Sequence, residues 1–280
     1  MDWTNPLITI SWFLLGLLTL ITAYIFIFPM LWGISTSLKS EVEFLDVLNW
    51  GIIPNDITFE HFVYMFTKSS MMTWYINSLM TSIGVTLLVI IISMPCGYAL
   101  SQIQFTGKTF IFVCVVLSIM VPGTALVIAL FIFVAELRLI NTWTGIILPQ
   151  VISPVCVIVY KQFFDQVPKE LREASLIDGA SEFQILLRVY MPLNWGITAA
   201  LALVTFIGAW NNFFWPFIMT TKTEMYTITA GMAQVDEAWG VKNAYMMAVA
   251  MAASLPVVIA YIIFQRRITQ AIMLTSGIKG

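Results

Sequence analysis

The sequence has few charged residues. Asp, Glu, Lys and Arg make up 10% of its 280 residues, whereas a soluble domain is typically about a quarter charged. Hydrophobic residues make up 60%, and the mean hydropathy is +0.91. The net charge of -2 is too small to indicate a nucleic-acid or polyanionic partner. These proportions are typical of a protein embedded in a lipid bilayer.

Histidine and cysteine are also scarce. His61 is the single histidine, so a histidine-based metal site or catalytic triad has little to build on. Cys96, Cys114 and Cys156 each lie in an apolar run without metal-binding spacing, which favours buried structural cysteines. No GxxxxGK[ST] phosphate-binding motif occurs. The sequence therefore predicts neither a metal site nor catalytic residues.

Six stretches longer than 20 residues contain no charged residue. A helix that crosses the hydrocarbon core needs about 20 mostly apolar residues, and charges at the bilayer centre are costly. We predict six transmembrane helices at 10–34, 74–100, 110–134, 142–163, 195–219 and 244–265. The first stretch lacks the basic start of a signal peptide and exceeds its roughly 7–15 apolar residues, so we expect a retained span.

Several of these stretches contain proline, and we expect those prolines to kink or unwind the helices. They lie at positions 29, 95, 122, 154, 216 and 256.

The distribution of Lys and Arg predicts the orientation. Six spans place both termini on one side, and the loops and tail of that side carry eight basic residues. The loops of the other side carry five, together with nine acidic residues. Basic residues concentrate in cytoplasmic loops, so we expect both termini and the charged segment 165–192 to be cytoplasmic.

Segment 165–192 carries signals for two short helices. Pro168 suits a first helical turn, and Gly179 is placed to end that helix in the left-handed conformation. Ser181 and Gln184 form a capping-box pattern for a second helix, and Pro192 interrupts the chain before the fifth span. The segment therefore predicts two helices joined by a glycine turn, although an ordinary solvated loop would use the same signals.

The stretch EASLIDGASEFQILLRVYMP at 173–192 resembles the EAA loop of bacterial ABC importer membrane subunits. That pattern is EAA, three residues, G, nine residues, I, any residue and LP. Its matching and related positions are Glu173, Ala174, Ser175, Asp178, Gly179, Ala180, Val189, Met191 and Pro192. Ser175, Val189 and Met191 replace the pattern's residues with small or apolar ones.

Further stretches resemble the maltose-type carbohydrate permeases, and in particular the shorter subunit of their heterodimeric pairs. They are SLKS at 37–40, WYINS at 74–78, WNNFFWPFIMT at 210–220, YTITAGM at 226–232 and the tail GIKG. The resemblance covers nearly the whole chain.

The resemblance implies an all-α integral membrane protein with the type-1 ABC importer permease fold and six transmembrane helices. Residues 1–71 would form an N-terminal transmembrane helix and extracytoplasmic loop, 72–265 the type-1 core, and 266–280 a cytoplasmic tail. The coupling loop, 165–192, would hold the coupling helix near 168–180. Glu173 would pair with a basic residue of an ATPase groove, Ala174 would permit close packing, and Gly179 would set the turn.

The implied function is that of a non-enzymatic permease subunit in an ATP-driven, binding-protein-dependent importer of a di- or oligosaccharide. The implied partners are a second homologous permease subunit, two cytoplasmic ABC ATPase subunits and an extracytoplasmic solute-binding protein. The ATPase subunits would use ATP and Mg, and this chain would bind no cofactor. The location would be a bacterial or archaeal cytoplasmic membrane.

A sugar pathway needs aromatic faces and amide or hydroxyl groups. The candidates are Asn77, Trp210, Asn211, Asn212 and Trp215. The two tryptophans also suit packing or an interfacial belt.

Three alternatives compete with a sugar importer. One is an ABC permease for a non-sugar solute, against which the carbohydrate-permease stretches argue. Another is a secondary transporter or channel, which predicts ionisable groups inside the membrane, and the six charge-free stretches hold none. The third is an intramembrane enzyme, for which the spans offer no cluster of His, Asp or Glu.

Overall fold

The structure is a computed structural model that describes residues 6–46, 51–239 and 242–277. Every regular element in these ranges is a helix. The chain forms two compact units. The first consists of residues 1–69 and 234–254, and the second of 70–233 and 255–280.

The first unit contains three helices and the start of α15. They are α1 (Pro6–Ser37), α2 (Glu41–Leu45), α3 (Glu60–Thr67) and α15 (Asn243–Gly277), which continues into the second unit. A Cβ at Gly33 would lie 2.7 Å from Cε of Met251, so the glycine permits a close approach. Oε1 of Glu41 accepts a hydrogen bond from the backbone N–H of Tyr245 at 2.9 Å, which satisfies an unpaired donor in the first turn of α15.

The second unit contains the remaining helices. They are α4 (Met71–Gln102), α5 (Lys108–Ser118), α6 (Val127–Glu136), α7 (Trp143–Ile147), α8 (Pro154–Phe164), α9 (Lys169–Ile177), α10 (Glu182–Ile185), α11 (Met191–Leu193), α12 (Trp195–Trp210), α13 (Phe214–Met219) and α14 (Ile228–Trp239), whose end belongs to the first unit. Short 3₁₀ turns lie at Gly123–Leu126, Leu148–Gln150 and Thr223–Met225, and a π segment at Leu186–Tyr190 joins α10 to α11.

The long helix α4 is the centre of the second unit, because both α8 and α12 pack along it. The core beside it contains Tyr98, Tyr160, Phe164 and Tyr190, which are all at most 3% exposed. Helices in a bilayer are held together by van der Waals packing, because lipid tails are as apolar as the core itself. A Cβ at Gly97 would lie 2.5 Å from Cβ of Tyr160, so α4 and α8 can approach this closely only at a glycine.

Three helices are each long and apolar enough to cross a membrane without a break: residues 10–37, 71–102 and 243–265. The other three predicted spans overlap bent helix pairs, the last of which begins within segment 165–192. These pairs are 108–118 with 123–136, bent by 91°, 143–150 with 154–164, bent by 50°, and 182–193 with 195–210, bent by 85°. The described chain thus supplies six spans if each bent pair counts as one.

Three of the predicted spans, at 110–134, 142–163 and 195–219, are not continuous helices. The first breaks before Gly123 and the second before Pro154, where proline limits helical hydrogen bonding. The third is interrupted at 211–213, between α12 and α13.

The prolines do not all interrupt helices. Pro122 and Pro154 lie at breaks, as expected. Pro29, Pro95 and Pro256 lie inside continuous helices, so the expected unwinding does not occur there. A proline removes one backbone hydrogen bond, whereas unwinding in a bilayer would leave several groups unsatisfied. Pro216 lies inside the short helix α13.

Candidate coupling loop and pathway residues

The first helix of the coupling loop is α9, and it begins and ends at the predicted signals. Pro168 occupies the N-cap rather than the first turn. Gly179 has a φ of 79°, the left-handed conformation that glycine adopts without strain. The N–H of Gly179 donates to the carbonyl of Leu176, and that of Ala180 to the carbonyl of Ser175, both at 3.0 Å. The predicted helix and its glycine turn are therefore confirmed.

The second helix begins at the predicted capping box. Oγ of Ser181 accepts from the N–H of Gln184 at 3.3 Å, and Oε1 of Gln184 accepts from the N–H of Ser181 at 2.9 Å. Helical structure continues through Pro192, so the expected interruption there is wrong. The π segment places Pro192 in the first turn of α11, where a missing N–H costs little. The chain turns by 85° only at Asn194, before α12.

One face of α9 is open to a partner. Glu170, Glu173, Ala174 and Ile177 follow the spacing of a single helical face, and all four are exposed. Ile177 is 87% exposed. The carboxylate of Glu173 makes no hydrogen bond with any described residue. Two free carboxylates beside an exposed isoleucine suit a groove that offers basic and apolar groups.

The other predicted coupling residues divide between this surface and the core. Asp178 and Gly179 are exposed at the turn, whereas Ser175 and Ala180 are half-buried. Oγ of Ser175 donates to the carbonyl of Leu171 at 2.7 Å, and Ala180 packs against the core cluster. Four of the six predicted coupling residues are therefore exposed, and the other two are half-buried.

The inner side of the coupling loop is held by a carboxylate that sequence reasoning missed. Nε of Arg172 donates to Oε2 of Glu182 at 3.2 Å, and its Nη2 contacts Oε1. The hydroxyl of Tyr98 donates to Oε2 of Glu182 at 2.6 Å. Hydrogen bonds from Arg172 lower the pKa of the Glu182 carboxyl from its ordinary value. We call these three side chains the Glu182 junction.

The start of the coupling loop is tied to the same helix. Oγ of Ser101 donates to Oδ1 of Asp165 at 2.6 Å, and Nε2 of Gln102 donates to the carbonyl of Phe164 at 2.9 Å. Nζ of Lys161 holds the second oxygen of Asp165 at 2.6 Å. The end of α4 therefore contacts the loop both before and after α9.

Asn77, a predicted pathway residue, is 3% exposed and fully engaged within the protein. Its Nδ2 donates to the carbonyls of Glu224 and Tyr226 at 2.8 and 3.0 Å. Its Oδ1 accepts from Nε1 of Trp143 at 2.9 Å. The amide thus joins α4, α7 and the segment that precedes α14.

The two predicted tryptophans are buried at the junction of α12 and α13. Trp210 is 2% exposed, and its ring packs edge-on against Tyr75 at 5.4 Å and stacks on Phe206 at 5.9 Å. Nε1 of Trp215 donates to the carbonyl of Gly145 at 3.2 Å. Both tryptophans pack within the described chain.

The two predicted asparagines differ in exposure. Nδ2 of Asn212 donates to Oε1 of Gln150 at 2.7 Å, whereas Asn211 is exposed. The candidates Trp210, Asn211, Asn212 and Trp215 thus lie together, while Asn77 lies on α4. Their contact with a sugar stays a prediction.

These observations define a class of protein: a mostly apolar helical membrane protein that projects a charged loop. Residues 89–273 match the family described as "Binding-protein-dependent transport system inner membrane component". The arabinooligosaccharides transport system permease protein AraQ of Halalkalibacterium halodurans is 32% identical over 279 residues, 99% of each chain. The chain therefore belongs to the family of binding-protein-dependent transport system inner membrane components.

Two more relatives extend the comparison. The trehalose/maltose transport system permease protein MalG of Thermococcus litoralis is 30% identical over 93% of this chain and 94% of its own. The diacetylchitobiose uptake system permease protein NgcG of Streptomyces coelicolor is 28% identical over 91% of this chain and 85% of its own.

A solved structure supports the same fold. It belongs to a bacterial ABC transporter involved in the import of the acidic polysaccharide alginate. The TM-score is 0.85 at 21% sequence identity, over 95% of this chain and 99% of the other. The predicted type-1 permease fold is confirmed. The chain is accordingly a multi-pass inner-membrane permease subunit of an ABC transporter, rather than an enzyme, and its family works with ATPase and binding-protein partners.

Proposed function

We propose that this permease subunit imports a carbohydrate of two or more sugar units. The observation that carries this proposal is the full-length similarity to a permease named for arabinooligosaccharides. Relatives named for trehalose or maltose and for diacetylchitobiose support the same class of solute. Within the chain, Asn211 offers an exposed amide beside the buried Trp210 and Trp215, and we propose it as a sugar contact.

The coupling loop is proposed to dock on a cytoplasmic ATPase. The exposed face of α9 supports this role, because Glu173 and Glu170 can pair with basic groups while Ile177 enters an apolar pocket. The small side chain of Ala174 allows the ATPase to approach α9 closely. Gly179 sets the angle between α9 and the chain that follows it. Two such ATPases would bind ATP and Mg, and both termini would lie on their side of the membrane, as the excess of basic residues there supports.

The pathway is proposed to form between this chain and a second, homologous permease subunit. An apolar groove of about 550 Å³ in the second unit supports this, since it lies open along α4, α12 and the later part of α15. Its lining includes Tyr75, Leu79, Ile83, Phe206, Ala260 and Phe264. The proposed division keeps 72–265 as the type-1 core, with 1–71 before it and the tail 266–280 after it.

Reconstitution tests the solute. We expect proteoliposomes that contain this chain, its partner permease and the ATPase subunits to take up radiolabelled arabinotriose or maltose only with ATP and the cognate binding protein. An amino acid serves as the control solute. Uptake of amino acids instead of sugars, or uptake by the isolated chain without ATP, would contradict the proposal.

Two substitutions test the coupling loop. We expect Glu173→Ala to lower ATPase association by roughly tenfold, because a charge-assisted contact is lost. Glu136→Ala removes an exposed acid at the end of α6, far along the chain from the loop, and should leave association unchanged. Co-purification with tagged ATPase subunits measures both, and equal behaviour of the two variants would refute the docking role of Glu173.

A further inference from the structure

The cytoplasmic-side end of α4 presents three polar side chains to the coupling loop. Tyr98, Ser101 and Gln102 lie at positions i, i+3 and i+4, on one helical face. They bind Glu182, Asp165 and Phe164, which bracket α9 in the chain. Any displacement of α9 must therefore act on a segment whose two ends are both attached to α4.

Apolar packing does not hold α9 itself, because none of its residues is buried in the described structure. Its one ion pair to another element among the described residues is that of Arg172 with Glu182. Glu182 begins α10, which is anchored by the buried side chain of Ile185 and by that of Leu186 at the start of the π segment. The carboxylate thus receives Arg172 from α9 and Tyr98 from α4, and it connects three helices at one group.

The geometry at Glu182 is directional. Arg172 approaches both carboxylate oxygens with Nε and Nη2, a planar fork that fixes orientation as well as distance. Tyr98 is 3% exposed, and its ring packs edge-on against Tyr190 at 5.0 Å, so its hydroxyl cannot follow a moving carboxylate without moving α4. A push on α9 therefore reaches the backbone of α4 through side chains that have little freedom.

The helix continues unbroken from this end to the other. From Tyr98 to Asn77 it spans 21 residues, or about 32 Å at 1.5 Å per residue. Asn77 there binds Trp143 and the carbonyls of Glu224 and Tyr226. Movement of α4 thus changes the position of the segment that precedes α14.

We propose that the Glu182 junction transmits the movement of α9 to α4, and through α4 to the far end of the second unit. Arg172, Glu182 and Tyr98 are positioning residues in this role, and the inference rests on the proposed docking of α9 on an ATPase. The partly exposed ion pair adds little to folding stability. Its removal therefore leaves a folded, docked subunit that transmits movement poorly.

The test uses the complete reconstituted complex, with arabinotriose as the uptake probe. Arg172→Gln, Glu182→Gln and Tyr98→Phe should retain ATPase association and ATP hydrolysis. Each should lower the sugar imported per ATP hydrolysed by roughly tenfold, the factor that one charge-assisted hydrogen bond can supply. The charge reversal Arg172→Glu with Glu182→Arg should recover much of the ratio.

Arg188→Gln is the matched control. Arg188 is an exposed arginine of the same loop that makes no hydrogen bond or ion pair with a described residue, so this variant should match the wild type. Amide exchange supplies a second readout, since α9 should exchange faster in the three junction variants and not in the control.

The outcomes separate the two proposals. Suppose that the wild type, Arg188→Gln and the junction variants all import the probe with the same amount of sugar per ATP hydrolysed. The proposed role of the Glu182 junction is then wrong, and the docking proposal stands. If the junction variants lose ATPase association and the charge reversal fails to restore it, Arg172 and Glu182 belong to the docking surface instead. If the wild type itself shows no ATP-dependent uptake, the proposed function fails and the junction role fails with it.

Discussion

The two ends of α4 are built differently. At one end, the neutral side chains of Trp74, Asn77 and Ser78 bind backbone groups of residues 223–228. At the other end, Tyr98 and Ser101 bind the carboxylates of Glu182 and Asp165. One end is buried and attached to backbone, while the other is partly exposed and attached to ionised side chains.

The difference has an energetic meaning. A buried polar group that loses its partner costs about 1–3 kcal/mol, whereas a partly exposed ion pair contributes about 0–1 kcal/mol. Substitutions at the Asn77 end should therefore lower stability. Substitutions at the Glu182 end should mainly change how the loop moves.

The largest effect is expected from disrupting the close packing of α4 against α8. Gly97→Leu would force a side chain into the contact of α4 with Tyr160, and we expect a loss of about 3 kcal/mol. Gly208→Leu is the control, since a Cβ there meets nothing within 4 Å. Thermal unfolding of the purified chain in detergent measures both, and equal destabilisation would show that the close approach at Gly97 is unimportant.

The next largest effect is expected from a substitution at the Asn77 end of α4 alone. Asn77→Ala leaves the Trp143 indole and two carbonyls without their partner, and we expect a loss of about 2–3 kcal/mol in unfolding free energy. Asn211→Ala removes an exposed amide and should leave the unfolding midpoint unchanged. If Asn211 contacts sugar as proposed, this variant lowers uptake while the protein remains stable.

A smaller effect concerns the helix that carries Glu182. Ser181→Ala removes the cap of α10 and should destabilise it by about 1 kcal/mol, since a terminal N–H loses its acceptor. Ser175→Ala removes only a hydroxyl bonded within its own helix and should have little effect. Amide exchange across 181–186 measures the difference, and identical exchange in both variants would count against the cap.

The smallest effect is the pH dependence of loop stability at the Glu182 end of α4. Arg172 holds the pKa of Glu182 below its ordinary value of 4.5, so the ionised carboxylate favours the folded loop. This stabilisation is fully present above pH 4.5 and is lost as the pH falls through the lowered pKa. We expect Glu182→Gln to loosen the loop near pH 7 but to match the wild type in strong acid. Limited proteolysis across the pH range measures this, and a difference that persists in strong acid would implicate another group.

The coupling loop was largely predictable because its signals are local. The left-handed Gly179 and the capping box of Ser181 and Gln184 act within three or four residues, so a short stretch of sequence contains them. The family pattern predicts that Glu173 and Ala174 of α9 face an ATPase, and this stays a prediction. The outcome agrees with the general rule that caps and turns depend on nearby chemistry.

The contacts of α4 were not predictable in this way. Tyr98 binds a carboxylate 84 residues later, and Asn77 binds a carbonyl 149 residues later. No periodic pattern connects such positions, and the predicted role of Asn77 in a pathway drew only on its residue type. Charge spacing located the spans, but it carries no information on the bends of 91° and 50° within two of them.

The π segment at Leu186–Tyr190 holds one more residue per turn than the helices on either side. Converting it to α-helix would rotate α10 by about 100° around the helix axis relative to α11. Such a rotation would carry Glu182 away from Tyr98 without breaking the chain between them. A one-residue deletion in 186–190 would offset this rotation, because four residues of α-helix turn through about the same angle as the five residues of the π segment. The extra residue in this segment therefore determines whether the loop keeps its direction when the segment becomes α-helical.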